Sequence, residues 1–227
     1  MAAAKGTHLP EISFLTEPIF SILTQRRCEY QVIEGGDIPI FPVVAIGASS
    51  GGLKAFRELF DNLPADTGLA YVLIPHLHPE DESMLAEILA RSGHIPIDQI
   101  HGDTRLEVNH AYVIHPDTTI TISKDWIKVS HRNLPPGKLH VSIDLFMISL
   151  AREYEEKAIG VILSGSMSDG SVGIETIKAN GGVTFAQDAS AKSHDMPKNA
   201  IATGCVDFVL SPKGIAEELA RIGRSLS

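Results

Sequence analysis

Short, unbroken apolar runs alternate with helix-spaced segments along most of this chain. The run Val43-Val44-Ala45-Ile46 leads into the turn Gly47-Ala48-Ser49-Ser50-Gly51-Gly52 and then into residues 53–63, where apolar positions recur at the spacing of one helix face. Ala70-Tyr71-Val72-Leu73-Ile74 repeats the pattern ahead of a helix over 83–92. Residues 158–163 repeat it ahead of a loop over 164–173 and a helix over 174–180. Gly181-Gly182 then precedes a strand at Val183-Thr184-Phe185-Ala186, Pro197 opens a helical turn, and a strand over 206–210 and a helix over 213–225 close the pattern. Strands that are apolar at every position are covered on both faces, and their alternation with helices predicts a parallel sheet.

The rhythm changes between about residues 95 and 132. Alternating segments there include 111–114, 119–123 and 126–130, with Lys124-Asp125 as a tight turn, which predicts strands that include an antiparallel hairpin. A polar loop over 133–140, carrying Pro135-Pro136-Gly137, leads to a helix over 143–157 and is expected at the rim of a site. The expected fold class is therefore α/β: a doubly wound, mainly parallel sheet with an antiparallel hairpin. Residues 1–40 read differently, since helical spacing over 9–26 is broken by Pro18 and followed by Gly35-Gly36 and Pro39. They are expected to form an extension or linker, with one folded domain over 41–227.

At 227 residues the chain is long enough for one substantial core, and 44% apolar with 21% charged residues is the make-up of an ordinary folded domain. A formal net charge of -9 opposes attraction to phosphate backbones, and no cluster of Lys and Arg interleaved with aromatics offsets it, which argues against a nucleic-acid partner. Cys28 and Cys205 stand far apart, fitting inert packed thiols in a reducing compartment better than a disulfide scaffold. No run of about 18 apolar residues occurs, and residues 1–6 lack the make-up of a signal peptide. The expected location is cytoplasmic, without membrane insertion.

Three reactive side chains fall at predicted strand ends, where open α/β sheets bind their ligands. Ser49 lies on the glycine-bounded turn after the first strand, where helix-end amides favour developing negative charge and a nucleophile fits. His76 follows the second strand and suits removal of the hydroxyl proton. Asp169, in Ser164-Gly165-Ser166-Met167-Ser168-Asp169-Gly170, follows a third strand and suits orientation of the imidazole. The residues alone leave other readings open. Residues 47–52 resemble a phosphate-binding turn, although they lack the central glycine of G-x-G-x-x-G and the Lys-Ser/Thr of a P-loop. His76 and His78 form a possible metal pair without a third ligand cluster, and Asp169-Gly170 also reads as a structural turn. No cofactor and no metal is expected. The order Ser, His, Asp and the lack of G-x-S-x-G set the chain apart from the common α/β-hydrolases.

From about Pro42 to Gly223 the chain resembles the catalytic domain of chemotaxis protein-glutamate methylesterases, the CheB-type family. The resemblance rests on Ile46-Gly47-Ala48-Ser49-Ser50-Gly51-Gly52, the strand ending at His76, Val141-Ser142-Ile143-Asp144, residues 163–173, and Ala186-Gln187-Asp188 with Met196-Pro197. It implies a methylesterase-like catalytic domain over 41–227. Such a serine hydrolase removes methyl esters from glutamate side chains on cytoplasmic helices of chemoreceptor-like proteins, releasing methanol, and deamidates selected receptor glutamines. The resemblance implies Ser49 as nucleophile, His76 as base and Asp169 as its orienting carboxylate. Ser50, Ser166 and Met167 are implied as the oxyanion and substrate loop positions. Many relatives read Gly-Met-Gly-x-Asp-Gly where this chain reads Gly165-Ser166-Met167-Ser168-Asp169-Gly170, so Met167 stands where a second glycine is common. Residues 1–40 are too few for a receiver domain, so phosphorylation control within the same chain is not expected. These two departures leave open a non-catalytic signalling or scaffold module derived from the fold.

Overall fold

The computed structural model describes residues 41–76, 79–91, 94–115, 118–131 and 141–226. The expectations for residues 1–40, Cys28, His78 and the rim loop 133–140 lie outside the described residues.

Strand β1 (Val43–Ala48) is buried at every position and stands at the centre of a seven-stranded sheet. On one side follow β2 (Ala70–Pro75), β5 (Ala111–Val113) and β3 (Ile97–Gln99). On the other follow β8 (Ala158–Ile162), β9 (Val183–Gln187) and β10 (Phe208–Leu210). Every pairing in this sheet is parallel. The chain first builds outward from β1 through β2 and later returns to β1's opposite flank with β8, so the order switches between β1 and β8 in the doubly wound manner.

Six helices accompany these strands in the described residues: α1 (Gly52–Asp61), α2 (Pro79–Ala90), α3 (Ser142–Tyr154), α4 (Ser171–Ala179), α5 (Asp195–Ala202) and α6 (Pro212–Leu226). The alternation along β1 assigns them to faces. Val43 and Ala45 pack with Phe146, Met147 and Leu150 of α3 and with Ile174 and Ile177 of α4. Val44, Ile46 and Ala48 pack with Phe56, Leu59 and Phe60 of α1 and with Ile215 and Leu219 of α6. Successive strand side chains point to opposite faces, and burying each large one is worth about 1.5–3 kcal/mol, so a two-sided core requires an unbroken apolar run. Gly47 lets α3 come close on one of those faces: a Cβ there would stand 2.6 Å from Ile143 Cγ2.

The expected hairpin is β6 (Thr118–Ser123) with β7 (Trp126–His131), closed at Lys124-Asp125 with Lys124 at φ 54. With β4 (Thr104–Arg105) it forms a separate three-stranded sheet. Residues 111–113, grouped by pattern with the alternating segments, instead run parallel to β2. Ala111 and Val113 fill one core face and Tyr112 the other, as a covered strand requires. The helix expected over 143–157 ends at Tyr154, because Glu155 takes φ 47 and a 3-10 turn over Glu155–Lys157 leads into β8. Pro197 is the third residue of α5 rather than its opening one. It is tolerated there because first-turn amides have no partner within the helix.

Candidate active site

Three adjacent strands end together. The register runs to Ala48↔Pro75 between β1 and β2 and to Gly47↔Ile162 between β1 and β8. Main-chain bonds continue past the strand ends: His76 N–H donates to the Ala48 carbonyl at 2.7 Å, Leu163 N–H to Gly47 at 2.9 Å and Ser49 N–H to Ser164 at 2.9 Å. The backbone at 49, 76 and 164 is thereby fixed at the carboxyl edge of the sheet, beside the switch in strand order. Ser49 is half-buried at the entrance to α1, and its hydroxyl donates to the main-chain carbonyl of His76 at 3.0 Å. That bond goes to the carbonyl of His76 rather than to its imidazole.

The His76 ring turns Nε2 toward Asp169, with 3.2 Å between Nε2 and Oδ2. Ser142 Oγ lies 2.6 Å from the same nitrogen. Asp169 is buried and held from the other side by the start of α3: Oδ2 accepts the Ile143 N–H at 3.1 Å and Oδ1 the Asp144 N–H at 3.0 Å. First-turn amides lack partners inside their own helix and form its positive end, so a carboxylate is stabilised there. Burial nevertheless pushes the Asp169 carboxyl up to about 7, against those two amides, and the neighbouring Asp144 adds to the rise. Burial raises the Asp144 carboxyl as well, although it accepts the Gly173 N–H at 2.7 Å.

The loop residues expected to serve oxyanion and substrate are exposed: Ser50 before α1, and Ser166 and Met167 between β8 and α4. Met167 takes φ 73, a left-handed backbone that costs a non-glycine residue about 1–2 kcal/mol. Its carbonyl accepts the Asn199 side-chain amide at 2.7 Å, which holds this turn against α5. Gly165 is required by close packing, since a Cβ there would collide with Met196 Sδ and stand 3.1 Å from Ser49 Cβ.

Sequence reasoning gave no role to Ser142, Asp144 or Ser164. Ser164 is buried, donates its hydroxyl to the Ser50 carbonyl at 2.8 Å, and accepts the Ser193 N–H at 2.9 Å. Its own N–H donates to Gln187 Oε1 at 2.8 Å, so it ties the Ser49 turn to the ends of β8 and β9. The available signal for Ser142 and Asp144 was a hydroxyl followed by an acid at a helix start, a pairing suited to satisfying orphan amides. Among the described residues, no group of three or more His, Cys, Asp and Glu side chains is arranged to hold a metal ion, and no helix is long and apolar enough to cross a membrane. Cys205 is free and half-buried, packed against the α3 and α4 side of the core.

A hydroxyl, an imidazole and a buried carboxylate at one sheet edge are the parts from which acyl transfer is built. The CheB methylesterase family model matches residues 44–219. A Leptospira interrogans protein is 31% identical over 186 residues, covering 82% of this chain and 96% of its own length. The protein-glutamate methylesterase/protein-glutamine glutaminase 1 of Carboxydothermus hydrogenoformans is 35% identical over 184 residues, 78% of this chain and 54% of its own length. This chain thus spans about half the length of that relative. The crystal structure of the Thermotoga maritima CheB methylesterase catalytic domain, 24% identical, matches with a TM-score of 0.73 over 80% of this chain and 98% of that one, which shows a common fold.

Proposed function

The chain belongs to the CheB methylesterase family, carboxylic ester hydrolases of the protein-glutamate methylesterase type, and from that premise we propose a serine mechanism acting on methylated cytoplasmic helices of chemoreceptor-like proteins. The observation that carries the mechanism is the 3.2 Å approach of His76 Nε2 to Asp169 Oδ2 beside the Ser49 turn. Ser49 is the nucleophile, His76 the base and Asp169 the group that orients the ring.

Rotation of the Ser49 side chain moves its hydroxyl from the His76 carbonyl toward Nδ1, the ring nitrogen opposite the one held by Asp169. As Oγ attacks the ester carbonyl carbon, Nδ1 takes the hydroxyl proton and the carbonyl oxygen becomes an oxyanion. The start of α1 with Ser50, and the loop carrying Ser166 and Met167, supply main-chain donors for it. The imidazolium returns the proton to the departing methoxide, methanol leaves, and a glutamyl ester of Ser49 remains. Water, deprotonated by His76, cleaves that ester and regenerates Ser49 with a free glutamate carboxylate. Attack on a glutamine side chain follows the same course with ammonia as the leaving group.

Residues 41–227 form the catalytic unit in this reading, residues 1–40 are an extension to it, and the protein works in the cytoplasm. The test is methanol release from methylated cytoplasmic fragments of a receptor, with Ser49→Ala and His76→Ala as controls. Release abolished by both changes is expected. Full release by a folded Ser49→Ala variant refutes the nucleophile, and no release by the folded unaltered protein favours a binding-only module.

A further inference from the structure

Three consecutive residues at the start of α3 hold both partners of the proposed acid–base pair. The amides of Ile143 and Asp144 grip the Asp169 carboxylate, and the side chain just before them, Ser142, reaches His76 Nε2 at 2.6 Å. Ser142 is 3% exposed, so its hydroxyl is a buried partner at the edge of the half-buried ring. It is shorter than the 3.2 Å between Nε2 and Asp169 Oδ2.

A ring nitrogen carries either one hydrogen or one lone pair, and a hydroxyl can accept the first or donate to the second. An ionised carboxylate can only accept. With the proton on Nε2, the N–H is shared between Ser142 Oγ and Asp169 Oδ2, and Nδ1 has the lone pair that a base needs. With the proton on Nδ1, the Ser142 O–H donates to Nε2 instead. The Ser142 hydroxyl can therefore stay bonded to the imidazole in both neutral tautomers and in the imidazolium, while Asp169 selects the forms with a proton on Nε2.

We propose that Ser142 is a positioning residue for the hydrolytic reaction: its hydroxyl fixes the plane of the His76 ring on the Asp169 side and keeps Nε2 hydrogen-bonded through each change of protonation. This inference rests on the reading of His76 as the base. Burial, and placement on the nitrogen shared with Asp169, separate Ser142 from the role given to Ser49.

The test uses the full chain and the variants Ser142→Ala and Ser142→Thr. Methanol release is followed across pH, and the His76 tautomer and titration are read from 15N-histidine NMR spectra. Ser142→Ala is expected to lower kcat by one to two orders of magnitude, the effect of losing a hydrogen bond to a charged group, with KM little changed. It is also expected to displace the His76 titration and mix its tautomers, and Ser142→Thr, which restores the hydroxyl, should recover both signatures. An unchanged pH profile and unchanged His76 spectrum in folded Ser142→Ala overturn the proposal. If the alanine variant does not fold, Ser142→Cys, close in volume but a weak donor, is measured in the same way and judged by the same criteria. Labelling by a phosphonofluoridate ester is expected at Ser49, and labelling at Ser142 overturns the positioning role. Undiminished release by His76→Ala refutes the base itself, whereas its loss together with an unaltered Ser142→Ala profile refutes only the present inference.

Discussion

Asp144 and Asp169 cap each other's helices. Asp169, just ahead of α4, accepts the first amides of α3, and Asp144, in the first turn of α3, accepts the Gly173 amide in the first turn of α4. The exchange satisfies orphan amides at two helix starts but brings two carboxyls together where burial raises both.

That arrangement fixes a sign for the dependence of stability on pH. Both carboxyls titrate higher in the folded protein than in the unfolded chain, so their contribution is fully present below the ordinary carboxylate range and is lost as pH rises through the raised values, toward about 7 for Asp169. Asp144→Asn removes the like charge and keeps an oxygen for the Gly173 amide. Urea unfolding should show the variant gaining about 1 kcal/mol on the unaltered protein between about pH 5 and pH 8, a modest figure because Asp144 is only half-buried. Equal differences at the two pH values would contradict the coupling. The acid limb of the methanol-release profile should move to lower pH in the same variant.

Asp169→Asn is expected to separate orientation from nucleophilicity. The amide lacks the negative charge that favours a proton on His76 Nε2, and only its oxygen can accept one of the two α3 amides. Loss of the correct tautomer should reduce kcat by about a thousandfold or more, with a stability loss of about 1–3 kcal/mol from the unpaired amide. Steady-state methanol release together with a thermal melt measures both, and a folded variant with full kcat would mean that the ring is oriented without this carboxylate.

Met167→Gly should stabilise the protein. Relief of the left-handed backbone is worth about 1–2 kcal/mol, offset by about 0.4–1 kcal/mol of added freedom in the unfolded chain. The net gain should raise Tm by about 1–3 °C. An unchanged or lower Tm would show that the Met167 side chain makes up for its backbone, despite being 55% exposed.

Gly165→Ala should act in the opposite direction. Its Cβ meets Met196 Sδ and crowds Ser49 Cβ, so overpacking should cost about 1–3 kcal/mol and displace the proposed nucleophile, lowering kcat. Gly102→Ala is the control, because a Cβ at Gly102 meets nothing within 4 Å. Similar melts and rates for the two variants would rule out a packing role for Gly165.

The sequence was most informative where one physical demand acted alone. β1, β2 and β8 are covered on both faces, so apolar residues at every position announced them. β3 and β4 were not separately legible, because short strands at a sheet margin bury few side chains and leave little pattern. Ser49, His76 and Asp169 stood out because each follows a strand, and the fold does bring the His76 ring to Asp169. Ser142 and Asp144 stood in a stretch that carried the resemblance but gave no sign of their roles, since their partners lie on other elements and a hydrogen bond across the fold leaves no periodic trace. The left-handed backbone of Met167 is carried by no property of methionine itself, and its one sign was the glycine common at that place in the resembled family.

The central place of β1 bears on how the chain emerges during synthesis. Its first neighbour, β2, arrives soon after it, with Val43 pairing to Ala70, but its second edge is completed only when Ala158 and the rest of β8 have been made. Until then this wholly buried strand presents an open row of amides and carbonyls to any other nascent chain, the circumstance in which intermolecular strand pairing begins. The interval between β1 and β8 is thus the period in which the sheet's central strand has one edge without its native neighbour.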